Sequence, residues 1–227
     1  MKRKHNKAYC QEKYNKITKE KQIIADIIKH NVNLENITSI LDIGSNTGEI
    51  SQQIRPIGSK ITFCDPTTLP KTNYEEDIFI KEKFEDAKVN EKYDLILVNH
   101  VWGYFWENFT TDKVLEKIFK HKKENGRVVI TYNTNKGYVD KLTKHVFSLT
   151  PESRFEHFKG LIIPEKKINF WTEIETPSFY ELADLCRTLY TASDEEYDNK
   201  FIFIESYMEQ TLYKPKLIIE QEMIIIK

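Results

Sequence analysis

Ile40-Leu41-Asp42-Ile43-Gly44-Ser45-Asn46-Thr47-Gly48-Glu49 is the stretch whose reading decides the fold. The apolar run Ile37 to Ile43 has the composition of a buried first strand. Gly44 to Gly48 follows as a turn, and Glu49 to Arg55 starts a helix. A glycine at a strand end lets the chain turn sharply and lets a ligand approach the backbone. The helix beyond it offers unbonded N–H groups to an anionic group.

The pattern repeats outward from this stretch. Lys60 to Cys64 is a second strand, ended by Asp65-Pro66, and Asp77 to Ile80 a third. Tyr93 to Val98 is a fourth strand and Arg127 to Tyr132 a fifth. Thr111 to Lys123 has the periodicity of an amphipathic helix, with Val114, Leu115, Ile118 and Phe119 on one face and Asn125-Gly126 as its stop. Alternating strands and helices imply an α/β fold with a mostly parallel sheet, and ligands bind beyond the carboxyl ends of such strands.

Residues 1–36 read as helical, with Ile17, Ile23, Ile24, Ile27 and Ile28 near helical spacing. Residues 135–175 are polar and aromatic-rich, with Tyr138, Phe147, Phe155, His157, Phe158, Phe170 and Trp171. Thr176-Pro177-Ser178 opens a helix through Leu189, with Pro177 at its first position and Glu181 completing a capping box. Phe201 to Tyr207 fits strand or helix, and Leu217 to Ile226 is a last strand. The expected organisation is one domain: an N-terminal helical lid (1–36), a ligand-binding core (37–134), an inserted cap (135–175) and the rest of the core sheet (176–227).

The spacing identifies the ligand class. Asp65 lies 21 residues after Gly44, at the tip of the second strand, where a carboxylate can take two ribose hydroxyls. The dinucleotide pattern G-x-G-x-x-G is absent, because Asn46 stands where its middle glycine makes room for a pyrophosphate. No Gly-Lys-Ser/Thr follows, which excludes a P-loop.

Asp42-x-Gly44-x-x-x-Gly48 resembles motif I of class I S-adenosylmethionine (SAM)-dependent methyltransferases, with Asn46 in place of the usual middle glycine. The resemblance covers about residues 37–134. It implies a Rossmann-like fold with a seven-stranded, mostly parallel sheet and helices on both faces. It also implies SAM as cofactor, S-adenosyl-L-homocysteine as product, and no metal. By that resemblance Asp42, Gly44, Ser45, Asn46, Gly48 and Glu49 form the methionine end of the site, and Asp65 with Pro66 the ribose end. Phe84 and Glu85, within Lys83 to Ala87, fall at the adenine segment, and Asn99 falls beside the methyl donor.

Methyl transfer from a sulfonium needs alignment more than acid–base machinery, yet an acceptor amine or hydroxyl still loses a proton. His100, after the fourth strand, is the candidate base or orienting group, with Tyr104 beside it. Trp102 in the aromatic run Val101 to Trp106 could hold a cation, though such a run also packs helices on sheets. Tyr9 and Tyr14 could face the acceptor from a lid. The charge runs Lys71 to Lys92 and Lys117 to Lys123 read as solvated faces. The layout is distantly similar to histamine N-methyltransferase-type enzymes, which implies a small-molecule acceptor and favours nitrogen. An RNA or protein side-chain methyltransferase, or a non-catalytic SAM-fold partner subunit, are the alternatives. The Asn-Pro-Pro-aromatic motif of base and amide methyltransferases is missing, and no Asp–Asp–Asn metal set appears.

Bulk properties set outer bounds. The 34 Lys and Arg nearly balance 35 Asp and Glu among 227 residues, so the whole molecule has no pull toward nucleic acid or an anionic membrane. No apolar run reaches membrane-spanning length. The basic start lacks a following apolar stretch, so no secretory signal is expected. Three widely spaced cysteines fit neither a disulfide framework nor a zinc site, and a cytoplasmic setting is expected.

Overall fold

The computed structural model describes residues 6–68, 70–102, 105, 110–134, 137–147, 161–189 and 193–227. Of the residues singled out in the sequence, Tyr104, Trp106, Phe155, His157 and Phe158 lie outside the described residues. Helices α1 (Lys7–Ile17) and α2 (Glu20–Asn31) precede β1 (Ser39–Ile43), α3 (Glu49–Gln53), β2 (Lys60–Cys64) and β3 (Ile78–Ile80). Then come β4 (Tyr93–Asn99), α4 (Thr111–Lys120), β5 (Lys122–Asn133), α5 (Tyr138–Phe147) and β6 (Lys166–Glu175). The chain ends with α6 (Phe179–Cys186), a 3₁₀ turn Arg187–Leu189, α7 (Asp194–Thr211) and β7 (Lys216–Ile226).

The seven strands form one sheet in the order β3-β2-β1-β4-β5-β7-β6. The first five strands pair in parallel. The last two run antiparallel to each other: Glu165 donates to the Ile225 carbonyl at one end and Thr176 to the Pro215 carbonyl at the other. The sheet is therefore mixed, with a parallel majority. Every residue of β1 is buried, as its unbroken apolar run requires when both faces are covered.

By internal contacts the chain divides into two compact units. One comprises Lys21–Tyr132, Phe155–Asn169 and Glu222–Lys227. Its core joins Leu41, Ile43, Val98, Trp102, Phe105, Leu115, Ile118 and Ile130. The other comprises Met1–Glu20, Asn133–Arg154 and Phe170–Gln221. Its core joins Tyr14, Leu142, Ile174, Leu182, Phe201, Ile204, Met208 and Leu217.

Several boundaries differ from the sequence reading. The N-terminal helix is two, because Thr18 adopts an extended conformation after α1. Pro177 precedes the helix instead of starting it: Ser178 is the cap, its hydroxyl accepting from the Glu181 N–H at 3.2 Å. Phe201 to Tyr207 is helical, within α7, whose cap Ser193 accepts from the Glu196 N–H. Residues 135–175 are not wholly an insertion, since 166–175 form an edge strand with alternating burial.

Asn125-Gly126 is not a helix stop. Helix α4 ends at Lys120, and β5 begins two residues later. Tyr93 pairs with Lys122 but Leu95 pairs with Arg127, so residues 123–126 bulge from the ladder. A Cβ on Gly126 would lie 2.7 Å from the Tyr93 carbonyl oxygen, so only glycine fits this close approach. Gly126→Ala is expected to lower stability by about 1–3 kcal/mol through the forced backbone shift. Urea denaturation measures this, and an unchanged midpoint would contradict the tight contact.

Candidate active site

The parallel strands end side by side, and backbone bonds just past their tips tie β1 to β2, β2 to β3 and β4 to β5. The Gly44 N–H donates to the Cys64 carbonyl at 2.8 Å, Asp65 N–H to the Ile80 carbonyl at 3.1 Å, and His100 N–H to the Thr131 carbonyl at 2.9 Å. The chain then turns at Gly44, Asn46 and Gly48, whose φ angles are +67°, +47° and +68°. A side chain at Gly44 would meet Val101 Cγ2 at 2.6 Å, and one at Gly48 would meet Phe63 Cε1 at 2.6 Å. Asn46 explains the missing middle glycine: that position needs a left-handed conformation, which asparagine tolerates better than most residues.

Asp65 fastens this loop. One carboxylate oxygen accepts from the Asn46 N–H at 3.0 Å. The other accepts from the Thr67 N–H and hydroxyl, both 2.8 Å, and from the Thr68 N–H at 2.9 Å. Pro66, exposed, begins that turn. Lys21 of α2 reaches the loop from another direction, donating to the Thr47 hydroxyl at 2.8 Å and pairing with Glu49 at 3.2 Å. Lys21 was not foreseen as part of the site; following Lys13, Lys16 and Lys19 in the sequence, it had no distinction.

Asp42 is buried beneath the loop and receives the Ser51 hydroxyl at 2.6 Å, which also bonds the Gly48 carbonyl. This pins the first turn of α3 to β1. Burial pushes its carboxyl up to about 7; the Ser51 bond opposes the shift, nearby Asp65 adds to it and Lys21 opposes it.

A row of polar side chains spans the tips of β1, β4 and β5. The Ser45 hydroxyl, both polar atoms of the Asn99 amide and the Thr131 hydroxyl are buried with no hydrogen-bond partner among the described residues. Asn99 and Thr131 are register partners on adjacent strands. Thr131 was missed in the sequence, although a hydroxyl near the end of an apolar strand marked it. His100 follows directly, with φ of +55°, a strained conformation for a non-glycine residue.

The remaining candidates are not part of this polar row. Trp102 is 1% exposed and packs edge-on against Phe105 in the core, ring centres 5.5 Å apart. Phe84 is also core, while Glu85 beside it is half-buried and Asp86 exposed. Tyr9 and Tyr14 belong to the other unit. Tyr14 is buried there, its hydroxyl donating to Glu20 at 3.0 Å; Tyr9 is 45% exposed. The run Lys117 to Lys123 is not simply a solvated face: Lys117 bonds three backbone carbonyls. Among the described residues, no group of three or more His, Cys, Asp or Glu side chains could hold a metal ion. None of the described helices is long and apolar enough to cross a membrane.

Parallel strands, a left-handed glycine loop and a carboxylate on the neighbouring strand define a Rossmann-like class I methyltransferase architecture. The model of the family described as "methyltransferase domain" matches residues 3–175. Curated proteins give no match. Among solved structures, the YcgJ protein from Bacillus subtilis is 14% identical; the match covers 91% of this chain and 98% of that one, with a TM-score of 0.61. The N-methyltransferase NodS from Bradyrhizobium japonicum WM9 is 10% identical over 91% and 94%, with a TM-score of 0.54. Coclaurine N-methyltransferase, solved with N-methylheliamine and SAH, is 14% identical over 91% and 70%, also with a TM-score of 0.54. At such identities the structures establish the fold. The family match spans most of the chain, which therefore belongs to the methyltransferase-domain family and is a SAM-dependent methyltransferase.

The raised Asp42 pKa carries a pH signature. Between about 4 and 7 the folded state keeps a proton that the unfolded chain has lost. Stability from this group therefore falls as pH rises through that window. Asp42→Asn should remove this part of the slope. Urea unfolding of both proteins from pH 5 to 8 measures it; a stability difference that stays constant with pH would contradict the assignment.

Proposed function

We propose that the protein binds SAM across the tips of β1, β2 and β4 and transfers its methyl group to a nitrogen of a small-molecule acceptor. The observation that carries this reading is the row Ser45, Asn99 and Thr131 at the strand ends, whose buried side-chain polar atoms have no hydrogen-bond partner among the described residues. A buried polar group left unsatisfied costs about 1–3 kcal/mol. Such groups persist where a ligand or water completes them.

Each residue has a role in this reading. The Gly44–Gly48 loop, with Ser45, Asn46 and Glu49, holds the methionine part, and the α3 N-terminus faces its carboxylate. Asp65, followed by Pro66, takes the ribose hydroxyls, and the turn bearing Phe84 and Glu85 takes the adenine. Asp42 shapes the loop from below. Bound there, SAM supplies an electrophilic methyl group that an acceptor nitrogen takes by in-line displacement, leaving SAH. Asn99 orients the groups beside that methyl. His100 orients the acceptor or removes the proton it releases. Nitrogen accords with an imidazole at this place, and two of the structural neighbours are N-methyltransferases by name. We also infer a reducing, cytoplasmic setting, since Cys10, Cys64 and Cys186 are buried free thiols.

Two substitutions separate the roles. Asp65→Ala should weaken SAH binding by calorimetry at least about tenfold, the scale of one to two lost charged hydrogen bonds. Unchanged affinity would end the ribose assignment. A metabolite screen for SAM-dependent methyl gain identifies the acceptor. With it, His100→Ala should lower turnover about a hundredfold while SAH affinity stays near that of the wild type. Equal turnover would make His100 structural.

A further inference from the structure

Residues 83–87 form one helical turn. The N–H groups of Asp86 and Ala87 both donate to the Lys83 carbonyl, at 3.0 and 2.9 Å. A single turn leaves its later carbonyls without the onward N–H groups of a longer helix. Lys117 of α4 supplies donors to them. Its ammonium lies 2.6 Å from the Phe84 carbonyl oxygen, 2.7 Å from that of Glu85 and 3.0 Å from that of Ala87. An ammonium has three N–H donors, which matches the three carbonyls. The same nitrogen stands 4.9 Å from the centre of the Phe84 ring. That ring meets Phe105 and His121 edge-on, at 6.3 and 6.4 Å. The turn is thus seated on the core through Phe84 and held by one cation.

We propose that Lys117 is a positioning residue for the adenine end of the cofactor: by gathering three carbonyls of the 84–87 turn, it sets the shape of the backbone that reads the purine edge. This rests on the assignment of that turn to adenine. Adenine presents an amino donor and a ring-nitrogen acceptor, whereas hypoxanthine presents a carbonyl acceptor and a ring N–H donor. Telling them apart requires hydrogen-bonding groups fixed to within about 0.5 Å. Lysine suits this role because its three donors diverge from one point, while the planar arginine fork spreads its donors differently.

The test compares calorimetric binding of S-adenosylhomocysteine and S-inosylhomocysteine, which differ only at the purine edge. The wild type should prefer the adenine compound. Lys117→Gln should weaken SAH about tenfold and bring the ratio of the two affinities toward one, because the inosine compound loses little. A general loss of stability would lower both affinities together and leave the ratio unchanged, and that result overturns the inference. Lys117→Arg should give an intermediate ratio, and it decides the matter if Lys117→Gln does not fold; a wild-type ratio in Lys117→Arg then overturns the inference. No SAH binding by the wild type would overturn the cofactor reading and this inference with it.

Discussion

The hydrogen bond from the Asn46 N–H to the Asp65 carboxylate joins the two loops on which the site depends. It crosses from the tip of β1 to the tip of β2. It holds a loop whose three left-handed residues would otherwise be free to sample other shapes. The same carboxylate closes its own turn through Thr67 and Thr68. One acidic side chain therefore fixes both loops, and in the proposed site such preorganisation lowers the ordering that binding has to impose.

Close packing under the loop adds to this constraint. Gly44 lies where any side chain would strike Val101, and Gly48 where it would strike Phe63. Asp42 and Ser51 tie strand to helix from below. Around this rigid frame the strand tips carry buried groups without a hydrogen-bond partner among the described residues: the Ser45 hydroxyl, the Asn99 amide and the Thr131 hydroxyl. Rigidity below and polar groups without described partners above support the proposed binding site, since an ordinary turn of an α/β protein needs neither.

Much of this was legible in the sequence because local chemistry decides it. The β-branched runs and the paired glycines read correctly, since a buried parallel strand and a left-handed turn leave few residue choices. What failed depended on partners distant in the chain. Gly126 read as a helix stop because its contact, the Tyr93 carbonyl, is 33 residues away. Lys117 read as one charge among many because its three carbonyl acceptors belong to another loop. Trp102 read as a site candidate because an aromatic run does not say which rings face inward. Thr131 escaped notice because only strand pairing sets it beside Asn99.

The most direct measurement of the central claim is a crystal structure of the protein with SAH. The expected result has the ribose hydroxyls within hydrogen-bond distance of Asp65, the homocysteine along the Gly44–Gly48 loop, and Asn99 beside the sulfur. A complex in which SAH lies away from the tips of β1 and β2, with Asp65 touching only Asn46, Thr67 and Thr68, would contradict it.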